Sequence, residues 1–259
     1  MEFSYLSSTV TIKTVSEDAK RGVFEVEGLF AGYGLTMGNA VRRALLSSLP
    51  GAAVTEIKIR NASHEFSTLP GVKEDLVELS LSFKKLRFRM HVDEPQVLSL
   101  KVSGEKVVTG ADIKTSSDVE IVNPEEILAT LTAKDAELDI EVKVERGLGY
   151  SPVEARKEGR LAIGTIAIDA IFTPVIKVNY TTENMRVGDS TDYNRLRLEI
   201  ETDGTISPSS ALHKSSNILK DHFEKISAVS VQEFETSKAA VPTAPKKRTK
   251  TKKVEKTES

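Results

Sequence analysis

The stretch Gly32-Tyr33-Gly34-Leu35-Thr36-Met37-Gly38-Asn39-Ala40-Val41-Arg42-Arg43-Ala44-Leu45-Leu46-Ser47-Ser48-Leu49-Pro50-Gly51 decides how the chain is read. Within it Met37, Ala40, Val41, Ala44 and Leu45 recur at i, i+3, i+4, i+7 and i+8, the one-sided apolar period of an amphipathic helix. The spacing predicts a helix from about Thr36 to Ser48, stopped by Pro50-Gly51. At about 100° per residue, Asn39, Arg42, Arg43 and Leu46 gather on the opposite side. Two guanidiniums beside an apolar side chain have the composition of a protein interface. The plainer reading is a solvated face with one stray leucine.

Before this helix, Thr9 to Val15 and Val23 to Leu29 alternate apolar and polar residues, the period of half-buried strands, and the polar link from Ser16 to Arg21 predicts a hairpin. After it come further strand candidates: Val54 to Arg60, Arg87 to Val92, Val97 to Val102, Val119 to Val122 and Ala136 to Glu145. Among them Val72, Leu76, Leu79, Phe83 and Leu86 keep a helical period. Thr165 to Phe172 and Leu196 to Glu201 read as two more strands. They lead through Asp203-Gly204 to a long helix with Ser207 as N-cap and Pro208 at its first position. That helix carries its apolar positions at Ala211, Ile218, Leu219, His222 or Phe223, Ile226 and Val229. Helices and antiparallel-looking strands in this order make the chain α+β.

The 259 residues contain no cysteine, which removes disulfides, thiolate metal sites and cysteine nucleophiles and fits a reducing cytoplasm. No run of residues approaches the length of an apolar membrane span, so a cytoplasmic protein without membrane contact is expected. From Thr236 onward, eight Lys or Arg stand against Glu255 and Glu258, a net +6 that leaves the rest of the chain at −8 within a total of −2. An acidic body is a poor DNA-binding surface. The Ala, Pro, Thr, Lys and Glu composition after Gln232 predicts a disordered basic tail over residues 233–259, read either as a weak, sequence-independent DNA contact or as a solubilising extension.

Gly32, Gly34 and Gly38 suggest a rival reading, a nucleotide-binding α/β enzyme, because they follow a strand and open a helix with Glu56 about twenty residues on. The dinucleotide fingerprint, however, needs a third glycine where this chain has Met37. His64, His91, His213 and His222 lack metal-ligand spacing, and Glu74 and Glu78 with Lys73 read as surface charge on a helix. No cofactor and no catalytic residue is expected in the chain.

The Gly32-to-Gly51 run resembles the signature helix of the bacterial RNA polymerase α-subunit family. More of the family pattern follows in order: Ala53-Val54-Thr55-Glu56, His64-Glu65-Phe66-Ser67-Thr68, Gly71-Val72-Lys73-Glu74-Asp75 and Asp118-Val119-Glu120-Ile121-Val122. Val144-Glu145-Arg146-Gly147 with Gly149-Tyr150, Ile168-Asp169-Ala170, and Glu199-Ile200-Glu201-Thr202 with Gly204-Thr205-Ile206 complete it. The resemblance implies a homodimer that gathers the β and β′ subunits of a DNA-directed RNA polymerase, with ω and σ in the holoenzyme. It implies a dimerisation domain over residues 1–50 and 170–232, with two amphipathic helices and an antiparallel sheet. A mainly β domain over residues 51–169 is inserted into it. Carried over residue by residue, Arg43, Leu46, Lys84 and Ile168 face the β subunit. The dimer interface is expected at Met37, Val41, Leu45, Leu219, Phe223 and Ile226. The family's helical C-terminal DNA-binding domain is expected to be absent, and Ser151 to Leu161 lacks the acidic cluster of some members.

Overall fold

The computed structural model describes residues 8–62, 64–156 and 164–229. The basic tail and the end of the expected dimerisation domain lie outside them.

The chain opens with β1 (Thr11–Glu17) and β2 (Arg21–Leu29), then α1 (Tyr33–Ser47), β3 (Pro50–Ile59) and α2 (Leu76–Lys84). Next come β4 (Phe88–Met90), β5 (Gln96–Ser103), β6 (Lys106–Thr109), β7 (Ile113–Lys114), β8 (Val119–Ile121) and β9 (Ile127–Leu131). β10 (Glu137–Leu148), β11 (Tyr150–Ser151), the short α3 (Val153–Arg156), β12 (Thr165–Ala167) and β13 (Ala170–Ile171) follow. The long pair β14 (Val175–Val187) and β15 (Ser190–Thr202) leads into α4 (Pro208–Ser227).

Two larger sheets result, each with its own core, beside the two-stranded pairs β6-β9 and β11-β13. An antiparallel sheet in the order β1-β2-β15-β14 carries α1 and α4 on one side. Phe24, Val41, Leu45, Leu49, Leu196, Leu198, Ile200 and Ala211 fill the space between. Its other side is a lattice of ion pairs: Lys13 to Glu27 at 2.6 Å, Glu27 to Arg195 at 3.2 Å and Glu25 to Arg197 at 3.1 Å. One face is thus dry and the other charged, the usual arrangement of a sheet covered on one side. The second sheet, β7-β5-β10-β3-β4-β8 with β12 added on β3, packs over α2 around Ile57, Leu76, Leu79, Phe83, Leu100, Ile140 and Val142. The α+β class expected from the sequence is the one observed.

Arg89 on β4 fastens the two bodies together. Its Nε donates to the Thr205 carbonyl at 3.1 Å and its Nη2 to the Gly204 carbonyl at 3.2 Å, on the loop that launches α4. That launch follows the sequence signal: the Ser207 side chain accepts from the Ser210 N–H at 3.3 Å and Pro208 occupies the first turn.

Several elements differ from the sequence reading: β6, β7, β9, β11 and α3 were not expected, and two further differences are larger. β14 is thirteen residues long and carries only Val175 and Val178 in the buried class, so no apolar alternation announced it. The predicted strand from Thr165 to Phe172 is instead two short strands. The Ile168 N–H donates to the Thr55 carbonyl at 2.9 Å, after which the chain leaves β3 and pairs Ala170 and Ile171 with β11. Among the described residues, no helix is long and apolar enough to cross a membrane.

Candidate functional site

The glycines at the start of α1 serve packing. A Cβ on Gly34 would stand 2.5 Å from Thr182 Cγ2, and one on Gly38 would stand 2.7 Å from the Tyr180 ring. Gly therefore lets the helix backbone lie flat on β14 and β15. The N–H groups that a phosphate would need are occupied as well. Asn194 Oδ1 accepts from the Gly32 N–H at 2.8 Å and the Gly34 N–H at 3.3 Å. With Asn194 holding two of its first N–H groups and an antiparallel sheet behind it, this helix start lacks the strand arrangement of a dinucleotide site.

The expected dimer residues fall into two groups. Val41 and Leu45 are 6% and 0% exposed within the single chain, so they are internal packing residues and offer a second copy no surface. Met37 is exposed, Leu219 is half-buried, and Phe223 and Ile226 are 59% and 66% exposed. The physical reason lies in α4: its first half buries Ala211, Leu212 and Ser215 against α1 and the sheet, whereas every residue from Lys220 to Val229 is exposed. Sequence reasoning missed further exposed apolar side chains. Tyr33 and Leu35 at the start of α1 are exposed. Ile12 is exposed although it pairs with Val26 on the helix-bearing side of the sheet, which Phe24 and Leu198 share. Alternation in β1 carried the signal for Ile12, an apolar residue on the core side of a strand whose residues are all exposed among the described residues.

A different surface begins on the outer face of α1. Arg42 and Arg43 are exposed, and neither has an ion-pair partner among the described residues; Leu46 is half-buried. The Ser47 hydroxyl donates to the Arg43 carbonyl at 2.8 Å, and the Ser47 carbonyl oxygen lies 3.8 Å from where Gly149 would carry a Cβ. Beyond Gly149 the surface reaches Asp169. Its carboxylate accepts from the Val153 N–H at 3.0 Å and from Lys84 Nζ at 3.4 Å, and the Tyr150 hydroxyl lies close enough to influence it. Lys84 thus stands in the same neighbourhood as the end of α1. Ile168 does not present its side chain there: it is 5% exposed in the second core, and it shapes the surface by placing Asp169.

The Asp169 carboxyl is held below the usual carboxylate range, chiefly by the Val153 N–H, then by the Lys84 charge and the Tyr150 hydroxyl, against the opposing effect of partial burial. A carboxyl with a depressed folded pKa contributes its full stabilisation above its unfolded value, about 3.9, and loses it as the pH falls through the folded pKa. Asp169→Asn is therefore expected to lower the melting temperature at neutral pH, and its difference from the parent should shrink below about pH 4. Thermal melts of both proteins across pH 2 to 7 measure this. A difference that persists unchanged into acid would remove Asp169 as the fastener of this segment.

Residues 57–173 match the family model described as "RNA polymerase Rpb3/RpoA insert domain". The "DNA-directed RNA polymerase subunit alpha" of Symbiobacterium thermophilum is 51% identical over 215 residues, covering 82% of this chain and 68% of that protein. The protein of the same name from Moorella thermoacetica is 50% identical over 205 residues, 79% of this chain and 65% of that one. That from Roseiflexus castenholzii is 47% identical over 231 residues, 89% of this chain and 71% of its own length. The chain spans about two thirds of the length of these relatives.

Proposed function

Because the chain belongs to the α-subunit family of DNA-directed RNA polymerases, we propose that it is a non-catalytic, dimeric scaffold on which the β and β′ subunits are assembled. The observation that carries this reading is the separation of two unlike surfaces on one small body. The exposed apolar residues of α4 and of the start of α1 are ones that a second copy would cover across a two-fold axis. The Arg43 face of α1 is cationic, partly apolar and directed elsewhere, so a second kind of partner can bind while the dimer stands. Lys84 and the Asp169 segment extend that second surface.

Arg43→Ala tests the division. Removing an Arg anchor without touching the core of α1 should leave dimers intact and weaken capture of a purified β subunit by roughly 1 to 4 kcal/mol, about fivefold to about a thousandfold. Sedimentation of the variant and titration against the β subunit read the two surfaces separately. Monomers that still capture the β subunit at parental affinity would show that the faces are reversed.

A further inference from the structure

We propose that Leu148 and Tyr150 continue the partner surface of α1 onto the second sheet, and that the β-subunit segment seated there brings a carboxylate to Arg43 and an apolar hollow to the Tyr150 ring. The proposal rests on the scaffold reading and adds residues and chemistry to it.

The backbone places these side chains beside α1. β10 pairs Leu148 with Pro50, two residues past the C-cap of α1, Ser48. Gly149, at φ +61°, then turns the chain next to the Ser47 carbonyl. Arg43 and Ser47 are one helical turn apart on the same side of α1, the side whose end meets the Leu148-Gly149-Tyr150 corner, and the Arg43 side chain is exposed there. Leu148 is 60% and Tyr150 59% exposed.

Two features distinguish this corner from scattered exposed side chains. Tyr150 is half anchored: β13 holds its backbone opposite Ile171 and its hydroxyl lies near the Asp169 carboxylate, while the residue is largely open to solvent. A ring fixed in this way loses little conformational freedom when covered, which is the property of an interface anchor. Arg42 and Arg43 have no ion pair with a carboxylate among the described residues, so both charges are free to meet a carboxylate of the partner. Tyr and Arg with flanking aliphatic side chains form the composition in which binding energy concentrates.

The test uses the full chain and a purified β subunit, with Tyr150→Ala, Leu148→Ala, Tyr150→Phe and Arg43→Ala compared by titration, sedimentation and melting temperature. Tyr150→Ala and Leu148→Ala should each weaken capture by about tenfold with the dimer intact, and Tyr150→Phe should retain capture because it keeps the ring. Arg43→Ala should weaken capture and flatten its dependence on salt. If Arg43→Ala weakens capture while Leu148→Ala and Tyr150→Ala bind as the parent does, the extension is wrong and the scaffold reading stands. If none of the three alanine variants weakens capture, the scaffold reading fails with it. Dissociation of the dimer by Tyr150→Ala with capture unchanged would assign the corner to a second copy. Loss in Tyr150→Phe as large as in Tyr150→Ala would reduce Tyr150 to a positioning residue for Asp169. Either result overturns the proposal.

Discussion

Phe223→Asp is expected to convert the dimer into monomers without unfolding the chain. Phe223, Ile226 and Val229 lie in the half of α4 whose residues are all exposed among the described residues, and Leu219 one turn earlier is half-buried. A helix face this apolar needs a cover, and a second copy of the same face supplies one. An unpaired carboxylate buried there costs about 3 kcal/mol, and two-fold symmetry imposes it twice, so dimer affinity should fall by roughly four decades. The monomer core survives because Val41, Leu45 and Ala211 are already enclosed by their own chain. Sedimentation velocity and circular dichroism give the two readings. A dimer undisturbed at micromolar concentration would remove the second half of α4 from the interface.

Gly51→Ala is expected to have the largest effect on stability. A Cβ at this position would stand 1.8 Å from the Phe172 carbonyl oxygen, a backbone atom that no rotamer change can move aside. The same phenylalanine leaves no room across the strand, where a Cβ on Gly147 would stand 2.6 Å from its ring. Gly147 and Gly51 are paired in register, so Phe172 lies over two glycines side by side. Here the chain passes from the first sheet into the second and, after β13, returns. Separating backbones at such a crossing should cost about 3 kcal/mol, which for a chain of this size lowers the melting temperature by about 6 to 12 °C. An unchanged melt would mean that the crossing opens without resistance.

How legible an element was depended on whether its signal is local. The start of α4 was readable because its cap and first-turn proline are neighbours in sequence, Ser207 and Pro208. The start of α1 was not: the periodicity begins at Met37, and the helix begins earlier, at Tyr33. The acceptor that satisfies its first N–H groups is Asn194, 160 residues away from Gly34. β14 escaped notice for a related reason. One side of it belongs to the charged lattice and only part of the other lies under α1, so its residues look polar although its pairing with β15 is long.

The candidate surfaces divide in the same way. Arg43 and Leu46 were readable as a second face of α1 because a helix repeats at a known angle, and the ordered motifs from Gly32 to Ile206 identified the family from sequence alone. Periodicity groups side chains onto a face but does not name the body that covers it. Only the packed structure showed that Val41 and Leu45 are spent inside the chain while Phe223 and Ile226 remain open, and that Leu148 and Tyr150 stand next to the end of α1. Burial and adjacency are properties of pairs of surfaces brought together from distant parts of the chain. No local spacing encodes them, so they are decided when the sheets close.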